Sequence, residues 1–247
     1  MLPLFQSLIA VLSAFAGAVL AASIAVSHRH LCALISFAAG TLLAMTLFHI
    51  IPDALPFLSL GAIGIALLSG YFLFYFISRH VSHVCPACAA SHFEEHTAPE
   101  LRSLALLMAI ALSIHIVMDG IAIAVGRELG ERTARALVMI ISIHKFPEGL
   151  ALCALLLKAG FPKKQCVFGT LFIEMLTLAG WMAGQLLLKS AVGSLLSYWL
   201  LVHIGGGFIY LGLHAVINES KEHSPRFILF FFLLGVAFVA LTRFLPI

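Results

Sequence analysis

The sequence predicts an all-α fold, a polytopic membrane protein of eight transmembrane helices. Three observations carry that reading. Of the 247 residues, 62% are hydrophobic and 10% charged, against about 45–50% apolar and about 25% charged in soluble domains. The apolar residues fall into eight runs near the length a bilayer demands, about 20 residues. Most connectors are short, and the one substantial polar insert is 79–100. The implied solvent is the lipid bilayer. A net charge of +3 does not suggest a nucleic-acid partner.

In order, the runs cover 4–26, 31–51, 57–78, 101–126, 133–157, 165–188, 194–217 and 226–245. The first begins almost at Met1, without a basic leader or small-residue cleavage site. It reads as a retained helix rather than a cleaved signal peptide. Small residues at Phe37–Gly40, Gly180–Gly184 and Gly205–Gly207 suit close helix packing. With both termini outside, the inner loops carry Arg29, Arg79, Arg102, Lys158, Lys163, Lys164, Lys221 and Arg226. The outer side carries Arg127, Arg132, Arg135, Lys189 and Arg243. That excess of inner positive charge sets the expected orientation, with 127–135 as an outer loop. The whole of 1–247 reads as one transmembrane domain, with 79–100 a cytosolic loop within it. Five cysteines, an odd number spread over spans and one loop, are not a disulfide framework.

Spans four and five hold the chemistry. Span four contains His115 and Asp119, followed by Gly120; span five contains His144, Pro147 and Glu148, followed by Gly149. The i, i+4 spacing puts each imidazole and its carboxylate on one helix face. An acid at the centre of a span costs about 2.5–3.5 kcal/mol on insertion scales. Two such acids, each beside an imidazole, are hard to explain as packing. Imidazole with carboxylate suits Zn²⁺, Fe²⁺ or Mn²⁺ better than Na⁺ or K⁺. Pro147 leaves the Ile143 carbonyl without its helical partner and predicts a kink beside His144. Gly120 and Gly149 are expected to let spans four and five approach each other. Lys145 and Glu174 also lie in spans. A buried lysine requires a counter-charge, so Lys145 is expected to pair with Glu174, Glu148 or both, its charge standing where a second cation would.

On these motifs the chain resembles the ZIP (Zrt/Irt-like protein) metal transporters over essentially its whole length. The Asp119-Gly120 and Pro147-Glu148-Gly149 runs are similar to that family's metal-site signatures. The resemblance implies a transport site at His115, Asp119, His144 and Glu148. Many members hold a second metal beside it, and the positions expected to help are Ile116, Lys145 and Glu174. Isoleucine has no donor atom and lysine repels cations, so the expectation is one transported ion, with Glu174 in a secondary place. The resemblance further implies a transport bundle of spans one, four, five and six, a scaffold of spans two, three, seven and eight, a homodimer, and elevator-like sliding.

Two further clusters follow. His49 and Asp53, with Pro52 before the acid, repeat the His-x-x-x-acid pattern at the outer end of span two and suggest a metal intake point. His214 and Glu219, at the inner end of span seven, suggest a release point. In the insert, Cys85 and Cys88 have the two-residue spacing of zinc ligands; with His83 and His92 they suggest a metal-capture or sensing loop whose deletion leaves transport intact if it only regulates. The expected function is secondary import of a divalent transition metal into the cytosol. Zinc is favoured, with iron, manganese and cadmium in range. No organic cofactor and no ATP-binding motif is expected. The competing classes are an intramembrane zinc metalloenzyme, disfavoured by the lack of a His-Glu-x-x-His run, and a non-transporting metal sensor.

Overall fold

The structure, a computed structural model, describes residues 2–24, 27–81, 98–189 and 193–244. Among these residues all regular structure is helical, and eight stretches are long and apolar enough to cross a membrane. They are span one Leu4–Ser23, span two Arg29–Ala54, span three Leu60–Arg79, span four Ala105–Leu129, span five Glu131–Lys158, span six Lys163–Leu188, span seven Leu195–Lys221 and span eight Pro225–Thr242. Several successive spans, among them four to five, five to six and seven to eight, are joined by a few residues; the two ends of the assembly are here called the Asp53 face and the Glu219 face.

Several boundaries differ from the sequence expectation for local reasons. Span two reaches beyond Pro52 because Thr46–Ile50 forms a π-helical turn, in which the Ile51 amide donates to the Thr46 carbonyl. Such a turn takes the helix past a proline that cannot donate. The segment 127–135 is not an extended loop. A 3-10 turn at Gly126–Leu129 leads to Gly130, whose φ of 117° only glycine adopts without strain, and span five starts at the next residue. The span-five helix runs through Pro147 unbroken. A break falls in span six, where one helix ends at Glu174 and the next begins at Leu176.

Glycines seam the spans into pairs. A Cβ at Gly17 would overlap the Phe146 carbonyl, and one at Gly149 the Ala14 carbonyl, so spans one and five meet backbone to backbone. Gly120 and Gly180 do the same for spans four and six, against the carbonyls of Thr177 and Val117. Gly40 and Gly235 join spans two and eight; Gly70 and Gly206 join spans three and seven. These are the four most extensively packed span pairs. The expectation that Gly120 and Gly149 bring spans four and five together is therefore corrected. Each glycine lies on the back of its helix, toward spans six and one, while the front carries the polar side chains.

Candidate metal site

Spans four and five turn their polar faces toward a single point. His115 Nε2 lies 3.6 Å from Asp119 Oδ2 and 3.7 Å from Glu148 Oε2. His144 Nε2 lies 3.2 Å from Asp119 Oδ2 and 3.9 Å from Glu148 Oε2. All four side chains are buried, and their ligand atoms lie within 4.8 Å of one another. A tetrahedral zinc ion with bonds of about 2.0–2.2 Å separates its donor atoms by about 3.3–3.6 Å. The measured gaps are close to that edge length, so a small cation fits after slight contraction.

The supporting contacts orient the ligands. His144 Nδ1 is 3.1 Å from the Ile140 carbonyl one turn back; an Nδ1–H donating there leaves the Nε2 lone pair facing the acids, the usual arrangement of a ligand histidine. Phe208 of span seven stands edge-on to both imidazoles, with ring centroids at 6.4 Å from His115 and 6.3 Å from His144. Phe74 of span three is edge-on to His115 at 6.0 Å. Sequence reading missed both. With 20 phenylalanines in the chain, nothing in the sequence distinguishes these two.

Lys145 lies fully buried beside this point. Its Nζ is 2.9 Å from Glu174 Oε2, 3.1 Å from Glu148 Oε1 and 3.2 Å from Asp119 Oδ2. Span six breaks at Glu174, the residue whose carboxylate turns inward to meet this lysine. Three carboxylates and one ammonium carry a formal charge of −2, which one divalent cation cancels. A second cation would reverse the sign in a site where uncompensated charge is expensive.

A cavity of about 60 Å³, room for one or two waters, borders His115, His144 and Glu148. It continues along Ile35 and Ala39 of span two and Leu211 and Ala215 of span seven, toward the Glu219 face. On the Asp53 side lie packed, buried side chains, among them Met45, Ile123, Leu137, Ile140, Ile141 and Ile204.

The other sequence candidates are placed differently. His49 is buried with Nε2 3.1 Å from Thr242 Oγ1. Asp53 accepts from Arg243 Nη1 at 2.7 Å and from the Thr133 hydroxyl. These two side chains thus face different partners. His214 stacks on Tyr210 at 5.1 Å and sits 2.9 Å from Asn218 Nδ2. Glu219 lies on another face of the same helix, since five residues are about 140° of rotation, and it is grouped with Cys32 and His223. His83, Cys85, Cys88 and His92 lie outside the described residues.

Fold and site together define a membrane protein with a buried cluster of two imidazoles and two carboxylates that could hold a metal ion. The chain belongs to the ZIP zinc transporter family, whose profile matches residues 87–243. It is 26% identical over 231 residues to the zinc transporter ZupT of Escherichia fergusonii, covering 91% of this chain and 88% of that protein. It is 32% identical over 138 residues to the zinc transporter SLC39A7 of Canis lupus familiaris, covering 53% of this chain and 29% of that one. It thus spans less than a third of the SLC39A7 relatives it matches. With eight apolar spans and this family, it is an integral membrane protein. A family of transporters sets the metalloenzyme reading aside.

Proposed function

We propose that this chain imports zinc through a single site formed by His115, Asp119, His144 and Glu148. The observation that carries the reading is the convergence of these four donors on one buried point, with Lys145 and Glu174 beside them and a net formal charge of −2 over the three carboxylates and the ammonium. The Asp53 face is outside and the Glu219 face cytosolic, in keeping with the excess of basic residues in the inner loops. The cavity that leaves the site toward Glu219 then describes an inward-directed state. Iron, manganese and cadmium are secondary candidates, because affinity alone does not choose among first-row ions.

Residues 1–247 act as one transmembrane unit, with 79–100 as its cytosolic loop. Spans one, four, five and six form the moving bundle; spans two, three, seven and eight form the scaffold and the homodimer contact. The glycine seams support this grouping, since each joins two spans of the same group. His49 and Asp53 serve metal intake, Glu219 and His214 its release, and His83, Cys85, Cys88 and His92 capture metal or regulate. The decisive experiment is competitive metal uptake into proteoliposomes. Zinc is taken up by the wild type, and both Asp119→Ala and Glu148→Ala reduce uptake to that of protein-free vesicles. Undiminished uptake by both variants refutes the site.

A further inference from the structure

The cavity that drains the central site ends beside a second cluster of ligand atoms. Along span two its wall includes Ile35, and Cys32 is three residues further on; along span seven it includes Ala215, and Glu219 is four residues further on. Both steps stay on one helix face. There the Cys32 thiol, a Glu219 carboxylate oxygen and a His223 ring nitrogen lie within 4.8 Å of one another. His223 Nε2 is 3.7 Å from Glu219 Oε2, close to the edge of a zinc polyhedron. Cys32 and Glu219 are buried, and His223 is partly exposed, so the cluster borders the cavity wall on one side and the Glu219 face on the other. A pocket of about 230 Å³, lined by Arg29, Cys32, His223, Ser224 and Phe227, has room for a partly hydrated ion. The neighbouring cation, Arg29, holds its guanidinium over the Phe227 ring, 4.9 Å from its centroid.

We propose that Cys32, Glu219 and His223 form a second divalent-metal site that receives the ion as it leaves the central one. Its sulfur, oxygen and nitrogen donors make it softer than the two-imidazole, two-carboxylate site above. It takes Zn²⁺ and Cd²⁺ and rejects Mg²⁺ and Ca²⁺, which prefer all-oxygen ligands. Thiolate and carboxylate together match one divalent charge, the Cys32 proton passing to solvent as the ion binds. The relay role rests on the transport reading of the central site; the binding does not.

The test uses the purified full chain carrying Cys85→Ser and Cys88→Ser, with Asp119→Ala and Glu148→Ala added to disable the central site. Cd²⁺ titration is followed by the ultraviolet thiolate-to-cadmium charge-transfer band. The band is expected to saturate at a single Cd²⁺ per chain, to resist excess Mg²⁺, and to disappear with Cys32→Ser. His223→Ala, at a partly exposed position the fold tolerates, should weaken Cd²⁺ binding by about tenfold, on the scale by which supporting groups affect metal sites. No band, or a band indifferent to Cys32→Ser and His223→Ala, overturns the proposal. A wild-type chain that moves no zinc in proteoliposomes, while the Cys85→Ser, Cys88→Ser, Asp119→Ala, Glu148→Ala chain shows the Cys32-dependent band, refutes transport and leaves this site standing.

Discussion

His144-Lys145-Phe146-Pro147-Glu148 and His49-Ile50-Ile51-Pro52-Asp53 share one pattern: a histidine, a carboxylate four residues later and a proline just before the acid. Their outcomes differ. In span five the helix is unbroken, both side chains face the same point, and span four supplies a matching pair. In span two a π-helical turn, Thr46–Ile50, contains the histidine. His49 then meets Thr242, while Asp53 meets Arg243 and Thr133. The spacing alone does not make a ligand pair. A regular helix between the two residues and a second pair across from them do.

The largest expected effect tests the first half of that contrast. Asp119→Ala or Glu148→Ala should abolish zinc binding by the central site, measured by calorimetry in a Cys32→Ser background, whereas Asp53→Ala should leave it intact. Next comes the lysine. Lys145→Met leaves Glu174 and its neighbours without their ammonium, and breaking a buried ion pair costs about 3–5 kcal/mol; thermal unfolding should show the loss. Lys145→Asn, which replaces the charge with a neutral donor, should raise the zinc stoichiometry of the central cavity, and unchanged stoichiometry would count against the counter-cation role. A Gly149→Ala change forces span five off the Ala14 carbonyl, and overpacking of this kind costs roughly 1–3 kcal/mol. The smallest effect belongs to the Asp53 face: His49→Ala should alter the uptake rate in proteoliposomes while zinc affinity stays within about twofold, less than the 1.4 kcal/mol that a tenfold change represents. Loss of affinity there as complete as in Asp119→Ala would erase the distinction between the two motifs.

Much of this was legible in the residues. Eight spans follow from apolar run length, and the i, i+4 spacing placed His115 with Asp119 and His144 with Glu148 on common faces. The lysine's need for a counter-charge pointed to Glu148 and Glu174, and both are within 3.1 Å. What was not legible depends on which spans are neighbours. Gly120 and Gly149 sit beside the ligands in sequence, yet a glycine does not declare which side of the helix is approached, and both serve the back. Asp119 as a third partner of Lys145, Phe74 and Phe208 around the imidazoles, and Cys32 beside Glu219 all come from distant parts of the chain. The π-helical turn in span two has no periodic signature in the sequence.

The glycine seams also bear on how the protein is made. Span one is seamed to span five, span two to span eight and span three to span seven. As the chain enters the membrane in order, these early spans remain without their backbone partners until the second half arrives. Lys145 enters with span five, but Glu174, the nearest of its three partners, follows only with span six. Until span six arrives, the lysine has Asp119 of span four and Glu148 of its own helix as counter-charges, and span six completes its neutralisation while also bringing the seam that holds span four.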